Sequence, residues 1–304
     1  MHRYAPIDLR RLAIFLAVVD EGGFTAAGDA LDVTQPSISQ AIRELEAALG
    51  AALFFRIGRA VRLTPAGEAL VLPARQAFAT ISRASSAVRE VAGLSTGRLE
   101  IACLPTLAAA PLAPIIGAFC RAHPGVAITL TNAEHGAQLV SLVRAGRCEL
   151  GLTEARAAED LCVVPLGVQD LLVVLPPGSP VKHPYPLDEL ARQPLVAAPK
   201  GSSSRDLLDE ALEARGVTPH FAVETAQREA LLPLIACGAG AGLLPRPIAR
   251  QAKALGCVVA EPRPGVSRSL AIVHRPGPLT PAAQRFVAIA LERAEDDDRS
   301  TGLA

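Results

Sequence analysis

The sequence has no tryptophan, one methionine and only 3% aromatic residues, although half of it is hydrophobic. Any core must therefore be aliphatic, built on Ala, Val, Leu and Ile. Lys+Arg and Asp+Glu balance at 30 each, so the formal net charge is zero. That argues against a general polyanion binder without excluding a sequence reader, because local arginine placement matters more than the total. No charge-free apolar run reaches the roughly 18 residues of a membrane span. Asp8, Arg10, Arg11, Asp20 and Glu21 interrupt the only stretch that could act as a leader, so a cytoplasmic protein is expected. There is no P-loop, GxSxG elbow, HExxH or dense His/Asp/Glu cluster, which argues against an enzyme and against a metal centre or cofactor. The six cysteines, Cys103, Cys120, Cys148, Cys162, Cys237 and Cys257, form no CxxC pair and sit mostly in apolar runs. Buried reduced thiols are expected.

At 304 residues the chain is long enough for more than one domain. The stretch Phe24–Leu63 reads as two short helices joined by a tight turn, then an arginine-bearing hairpin. Thr25 is a candidate N-cap, and Ala26, Ala27, Ala30 and Leu31 supply a compact face that lets two helix axes approach. Asp32-Val33-Thr34 breaks the pattern. Thr34 can cap a second helix, with Pro36 in its first turn where a missing N–H does no harm. Ile38, Ala41, Ile42, Leu45 and Leu49 define the buried face of that helix, and Gly50 ends it.

Its outer face carries Gln35, Pro36, Ser37, Ser39, Gln40 and Arg43 rather than the Lys and Glu of an ordinary surface helix. Glutamine pairs bidentately with adenine and arginine with guanine, while a proline edge can meet a thymine methyl. Serine hydroxyls and the positive helix start suit phosphate oxygens. The pattern is that of a helix-turn-helix unit whose second helix enters the DNA major groove. Arg56, Arg59 and Arg62 then recur around the turn Ile57-Gly58-Arg59. They are either solubilising charge or a wing against phosphates and the minor groove.

The segments FTAAGDAL, VTQPSISQAIRELEAALG, LFFR and RLTPAGEAL resemble the winged helix-turn-helix signature of LysR-type transcriptional regulators, over about 65 N-terminal residues. The resemblance implies sequence-specific binding to double-stranded promoter or operator DNA. It also implies an oligomer, usually a tetramer built as a dimer of dimers, and a C-terminal domain that senses a small molecule. RNA polymerase is a further candidate partner. DNA contact then falls to Thr34, Gln35, Pro36, Ser37, Ser39, Gln40 and Arg43, with Arg56, Arg59 and Arg62 on the wing. Phe55 stands where many relatives place a polar or charged residue.

Around this unit, Leu9, Leu12, Phe15, Leu16 and Val19 form the stripe of a preceding helix with Asp8 as N-cap. From Pro65 to about Leu94 a heptad run, Leu70, Ala74, Ala77, Ile81, Ala84, Val88 and Val91, predicts a long helix with a narrow seam for a partner helix. Nearly thirty residues would span roughly 40 Å, and Pro73 should kink or loosen it. Leu94–Gly97 marks a boundary. The expected domains are 1–64, a linker and dimerisation helix 65–94, and an effector-binding domain 95–304.

Beyond the boundary, short β-like runs alternate with helices, at Leu99–Leu104, Ala127–Thr131, Leu150–Thr153, Leu171–Leu175, Leu195–Ala198, Phe221–Val223, Gly242–Leu244, Val258–Ala260 and Leu270–His274. This predicts an α/β fold of two lobes, for which the resemblance implies a periplasmic-binding-protein-like arrangement. Lobe one takes about 95–163 plus 267–304 and lobe two about 164–266, with hinges near Val164–Gly167 and Val266–Arg268. The charged tail Glu295–Arg299 should be a frayed end.

Ligands of open α/β sheets bind beyond the carboxyl ends of the strands. That rule selects Thr106, Thr153, and the cluster Lys200, Ser202, Ser203 and Ser204 at a helix start, where N–H groups and the helix dipole favour an anion. His135, in a loop where relatives often carry a hydroxyl, and Thr225 and Gln227 complete the candidates. A small, anionic metabolite is expected to alter oligomer geometry. The competing reading is a cytoplasmic ligand-binding protein of solute-receptor type without DNA specificity.

Overall fold

The computed structural model describes residues 7–57, 60–91, 97–154, 160–180 and 182–301. The chain forms two compact units, Met1–Ser85 and Ser86–Ala304. The division falls inside the long helix instead of at its two ends.

Unit 1 starts with α1 (Leu9–Glu21), where the Asp8 carboxylate accepts from the Arg10 amide at 2.8 Å and Gly22 closes the helix at φ 71°. Its buried residues are Leu12, Ile14, Phe15 and Val18, while Leu9 is 45% exposed. The buried face is thus turned from the expected stripe, so that Phe15 meets Phe54 with ring centroids 5.5 Å apart. In α2 (Phe24–Leu31) the N-cap is Gly23, not Thr25. Phe24 opens the helix and packs edge-on to Phe54. Only Ala27 and Gly28 are buried there, whereas Ala26, Ala30 and Leu31 face outward. The close approach rests on Gly28: a Cβ there would lie 2.8 Å from the Val33 carbonyl oxygen.

The turn closes through Asp32 at φ 53°, and α3 (Gln35–Leu49) buries Ile38, Ile42 and Leu45 before ending at Gly50. β1 (Phe54–Ile57) and β2 (Ala60–Leu63) pair antiparallel. Glu46 of α3 pins this hairpin by accepting from the Leu53 amide at 2.7 Å. Thr64 Oγ1 donates to the Ala52 carbonyl (2.6 Å) and accepts from the Gly67 amide (3.0 Å), which seats the start of α4 (Pro65–Val91). The helix runs on through Pro73.

The expected seam of α4 divides into two parts. Ala74 is buried in the core of unit 1 and Leu70 packs against that core, so neither is free for a partner helix. Ala77 is half-buried, while Ile81 and Ala84 are exposed; the side chains of Val88 and Val91 lie outside the described residues.

Unit 2 begins with β3 (Gly97–Cys103), α5 (Pro105–Leu107), a π-turn (Ala108–Leu112), α6 (Ala113–Ala122), β4 (Val126–Asn132), α7 (Gly136–Arg144) and β5 (Leu150–Glu154). The strand β6 (Cys162–Leu175) leads into the second lobe. There follow β7 (Tyr185–Pro186), α8 (Leu187–Ala191), β8 (Pro194–Ala197), α9 (Ser203–Glu213), β9 (His220–Glu224) and α10 (Arg228–Ala236). β10 (Gly242–Pro245), α11 (Arg246–Ala252), β11 (Val258–Ala260) and β12 (Pro262–Arg263) complete that lobe, and β13 (Val266–His274) returns to the first. The last helix, α12 (Pro281–Thr301), continues through the segment expected to fray.

The hinges are not loops. β6 and β13 pair antiparallel along both lobes, in a sheet ordered β10-β6-β13-β5-β3-β4 with β11 also on β6. The crossing is marked by a bulge: the register shifts between Leu270 and Ala271, leaving Leu166 unpaired beside Gly167 at φ 93°. An extra residue bends and twists a strand, and glycine reaches that φ without a Cβ clash. Before the bulge the sheet belongs to a core of Leu99, Ile101, Ile272, Phe119 and Phe286. Beyond it, alternation along β6 sends Leu171, Val173 and Leu175 into one cluster and Leu172 and Val174 into another.

Two sequence expectations fail in lobe one and around the thiols. Pro105–Ala122 reaches membrane-span length and a mean hydropathy of 1.2. It is no continuous helix, because Ala110 has extended backbone (φ −157°, ψ 125°), and it packs Leu107, Leu112, Ile115 and Phe119 into the core. All six cysteines are free, but Cys120 and Cys237 are exposed and Cys162 is half-buried. Burial beside Cys148 raises the Cys103 thiol to about 11.

Gly67 gives the fold a direct test. A Cβ there would lie 2.2 Å from the Leu53 carbonyl oxygen, whereas at Gly23 it would meet nothing within 4 Å. Gly67→Ala should destabilise unit 1 by about 1–3 kcal/mol or more, and Gly23→Ala by no more than about 0.5 kcal/mol. Urea unfolding followed by circular dichroism measures both.

Candidate functional site

On unit 1 the exposed face of α3 presents Gln35, Pro36, Ser37, Gln40 and Arg43, with Ser39 half-buried. Thr34 occupies the N-cap position but makes no side-chain bond to a backbone amide; its hydroxyl shares a 2.9 Å hydrogen bond with that of Ser37. The expected cap is therefore absent, and the helix start keeps amide groups for another acceptor. Gln35 Nε2 donates to Ser39 Oγ at 2.8 Å, and Arg43 Nε to the Ser39 carbonyl at 3.2 Å. These exposed bonds lie one helical turn apart, and a base edge or phosphate could replace them at little cost.

The sequence reading missed Glu44. It accepts from Gln40 Nε2 at 2.8 Å and pairs with Arg11 at 2.8 Å, and the Gln40 hydrogen bond holds its carboxyl below the usual range. Its position four residues after Gln40 was a legible signal, since such pairs face each other on a helix. On the hairpin, Arg62 is exposed and opposite Phe55, which is 49% exposed. The side chain of Arg56 and the whole of Arg59 lie outside the described residues.

Unit 2 holds the second constellation, between its lobes. Thr106 and Ser203 bond to Arg268 on the hinge strand β13, and Thr153 pairs with Ala271 of the same strand. Their centre is a residue the sequence reading passed over. Arg268 of β13 is 4% exposed. Its Nε and Nη2 donate to Gln169 Oε1 at 2.9 and 2.6 Å, Nη2 to Thr106 Oγ1 at 3.2 Å, and Nη1 to Ser203 Oγ at 3.1 Å and Glu154 Oε1 at 3.3 Å. Glu154 also accepts from Ser203. Burial pulls the Arg268 guanidinium below its usual value, and Glu154 opposes this. The alternation Val266-Ser-Arg268-Ser-Leu270 puts the arginine on the inward side of its strand, which could have exposed it.

The three adjacent serines have three different roles. Ser202 donates to the Pro199 carbonyl at 2.7 Å and shapes the turn. Ser203 joins Glu154 and Arg268. Ser204 lines a cavity, and its buried hydroxyl has no hydrogen-bond partner among the described residues. Lys200 is exposed and lines no described cavity, so it does not join them. His135 caps α7, accepting from the Gln138 amide at 3.2 Å. Thr225 is bound locally, accepting from the Gln227 amide at 3.1 Å, and neither residue lines a described cavity.

Two cavities flank Arg268. The smaller, about 180 Å³, is lined by His135, Thr153, Glu154, Ser203 and Asp206. The larger, about 520 Å³, is mainly aliphatic, with Val196, Leu208, Leu231 and Leu244 beside Thr106 and Ser204. Its one cationic side chain is Arg228, another residue missed from sequence. Arg228 Nη1 donates to the Thr225 carbonyl at 3.3 Å, but its buried Nε has no partner among the described residues. Burial lowers this guanidinium and the charge of Glu134 opposes the shift.

Both units match known protein families. The family description "Bacterial regulatory helix-turn-helix protein, lysR family" matches residues 9–68, and "LysR substrate binding domain" matches residues 92–295. The HTH-type transcriptional regulator CbbR of Rhodospirillum rubrum is 28% identical over 292 residues, covering 95% of this chain and 97% of that protein. Full-length OxyR from Pseudomonas aeruginosa superposes with a TM-score of 0.72 at 23% identity, covering 95% of each chain. Full-length CbnR, solved with its target DNA, gives 0.62 at 24% identity, covering 95% of this chain and all of that one. Two ordered family matches, one of them spanning most of unit 2, show that the chain belongs to the LysR family of helix-turn-helix transcriptional regulators.

Proposed function

We propose that this LysR-family regulator reads an operator with the exposed face of α3, and that a small carboxylate bound between the lobes of unit 2 sets how its oligomer engages DNA. The family assignment carries the first half: such regulators bind DNA, oligomerise and respond to small effectors. It also favours the regulator over the solute-receptor reading. We place the protein in the cytoplasm and assign it no catalytic step. Gln35, Gln40 and Arg43 are the base-reading candidates, Ser37 and Ser39 the phosphate-facing ones, and Arg62 the wing contact. In this reading Gln40 and Arg43 exchange their intrahelical partners for base edges when DNA binds.

For the ligand, the single supporting observation is the 520 Å³ cavity in which the Arg228 guanidinium and the Ser204 hydroxyl retain unmatched buried donors. A carboxylate would satisfy both, and the aliphatic lining would take an apolar body. Thr225 and Gln227 then act by shaping the loop before Arg228. His135 and Thr153 belong to the smaller cavity, which is lined by three carboxylates, Glu154, Asp206 and Glu210, and by no Lys or Arg, whereas the larger sets Arg228 against one, Glu229. A ligand alters DNA engagement only by favouring one lobe arrangement over another.

Two measurements test these assignments. Gln40→Ala should relax preference at one base pair by about 1–3 kcal/mol. Arg62→Ala should instead weaken matched and scrambled duplexes alike and reduce the salt slope by about one. Titrations with both duplexes at two salt concentrations separate the outcomes. In a thermal-shift series, carboxylates should stabilise the protein while the amides of the same acids do not, and Arg228→Met should remove the difference. Equal stabilisation by acid and amide would overturn the ligand class.

A further inference from the structure

A third cavity, about 730 Å³, lies beside the hinge strands and touches the 520 Å³ cavity only through the shared residues Ala109 and Gln251. Its floor is apolar, with Leu166 and Leu270 from the bulge and Val168 from the middle of β6. Val168 is 63% exposed, an unusual state for a branched side chain on an inner strand. Over this floor stand three arginines, Arg246 and Arg250 from α11 and Arg293 from α12, against one lining carboxylate, Asp170. Arg246 is neutralised by Asp170 at 2.9 Å and Glu261 at 3.4 Å, yet its buried Nε has no partner among the described residues. Among the described residues Arg293 Nε donates to the Pro114 carbonyl at 3.3 Å. Neither Arg250 nor Arg293 pairs with a carboxylate among the described residues.

Clustered like charges raise the energy of the empty site and select for an anion. An exposed aliphatic floor favours a ligand with methylenes to bury. The two acid-free guanidinium groups come from opposite lobes, Arg250 from lobe two and Arg293 from lobe one. The geometry points to a second ligand site, separate from the central cleft, that binds an aliphatic dicarboxylate by one guanidinium from each lobe. Its methylene chain lies over Val168, and its binding ties α11 to α12 across the hinge. Occupancy then fixes the angle between the lobes without any contact to Arg228 or Ser204, so this inference stands independently of the carboxylate assigned to the central cavity.

The test is calorimetric titration of full-length Arg228→Met protein, whose central cavity has lost its one lining cation, with adipate, alongside the uncharged 1,6-hexanediol. Adipate should bind with one-to-one stoichiometry and hexanediol should not. In that background Arg250→Ser and Arg293→Ser should each weaken adipate about tenfold or more, and Arg293→Lys should recover part of the loss. Both arginines are at least partly exposed, so the variants should fold, which unchanged melting without ligand would confirm. The inference fails if millimolar adipate gives no binding heat, if hexanediol binds equally, or if neither serine variant matters. It fails equally if adipate binds the wild-type protein but not Arg228→Met, a result that would put the diacid in the central cleft and leave that assignment standing.

Discussion

A guanidinium cut off from water is tolerated only where fixed acceptors replace its hydration shell. Arg268 meets that condition with acceptors drawn from every part of unit 2: Thr106 and Glu154 from strand ends of lobe one, Gln169 from the neighbouring hinge strand, and Ser203 from the first turn of α9 in lobe two. The charge can be satisfied only while those four groups stay in register. The spacing of the lobes, the walls of both flanking cavities and the seating of α9 all follow from it. A ligand entering either cavity must work with this cluster or exchange for part of it.

Much of unit 1 was legible because its signals are local. The Asp8 cap, the proline near the start of α3, the glycine at its end and the hairpin all follow from neighbouring residues. The errors came where tertiary packing chose between equivalent faces. On α2 four small or apolar residues competed, and contact went to Ala27 and Gly28 because the Val33 carbonyl left no room for a Cβ. On α1 the demand of Phe15 for Phe54 rotated the buried face. In α4 the heptad spacing was real, but Ala74 spends it on its own unit.

In unit 2 the strand positions were readable and their continuity was not. β6 and β13 extend several residues beyond their apolar runs, because backbone pairing between them carries polar positions such as Gln169, Asp170 and Ser267. The site shows the same division. Thr106, Thr153 and Ser203 lie at strand ends or helix starts, positions that a local rule can name. Arg268, Gln169 and Arg228 become neighbours of those hydroxyls only through pairings or turns that close over many residues, such as the sequence separation of 99 from Gln169 to Arg268. Lys200, although adjacent to the serines, stays at the surface, since proximity in sequence does not aim a side chain.

The junction of the hairpin with the long helix has a mechanical consequence. Thr64 bonds to both sides of that junction, and Gly67 sits against the Leu53 carbonyl with no space between them. The base of α4 therefore cannot pivot relative to the wing, and Arg75 is further tethered to Asp20 of α1 at 2.5 Å. Twist applied to the first turns of this helix rotates the whole reading head as a rigid piece. Any compliance must come from farther along the rod, past Phe78, which still packs against that core.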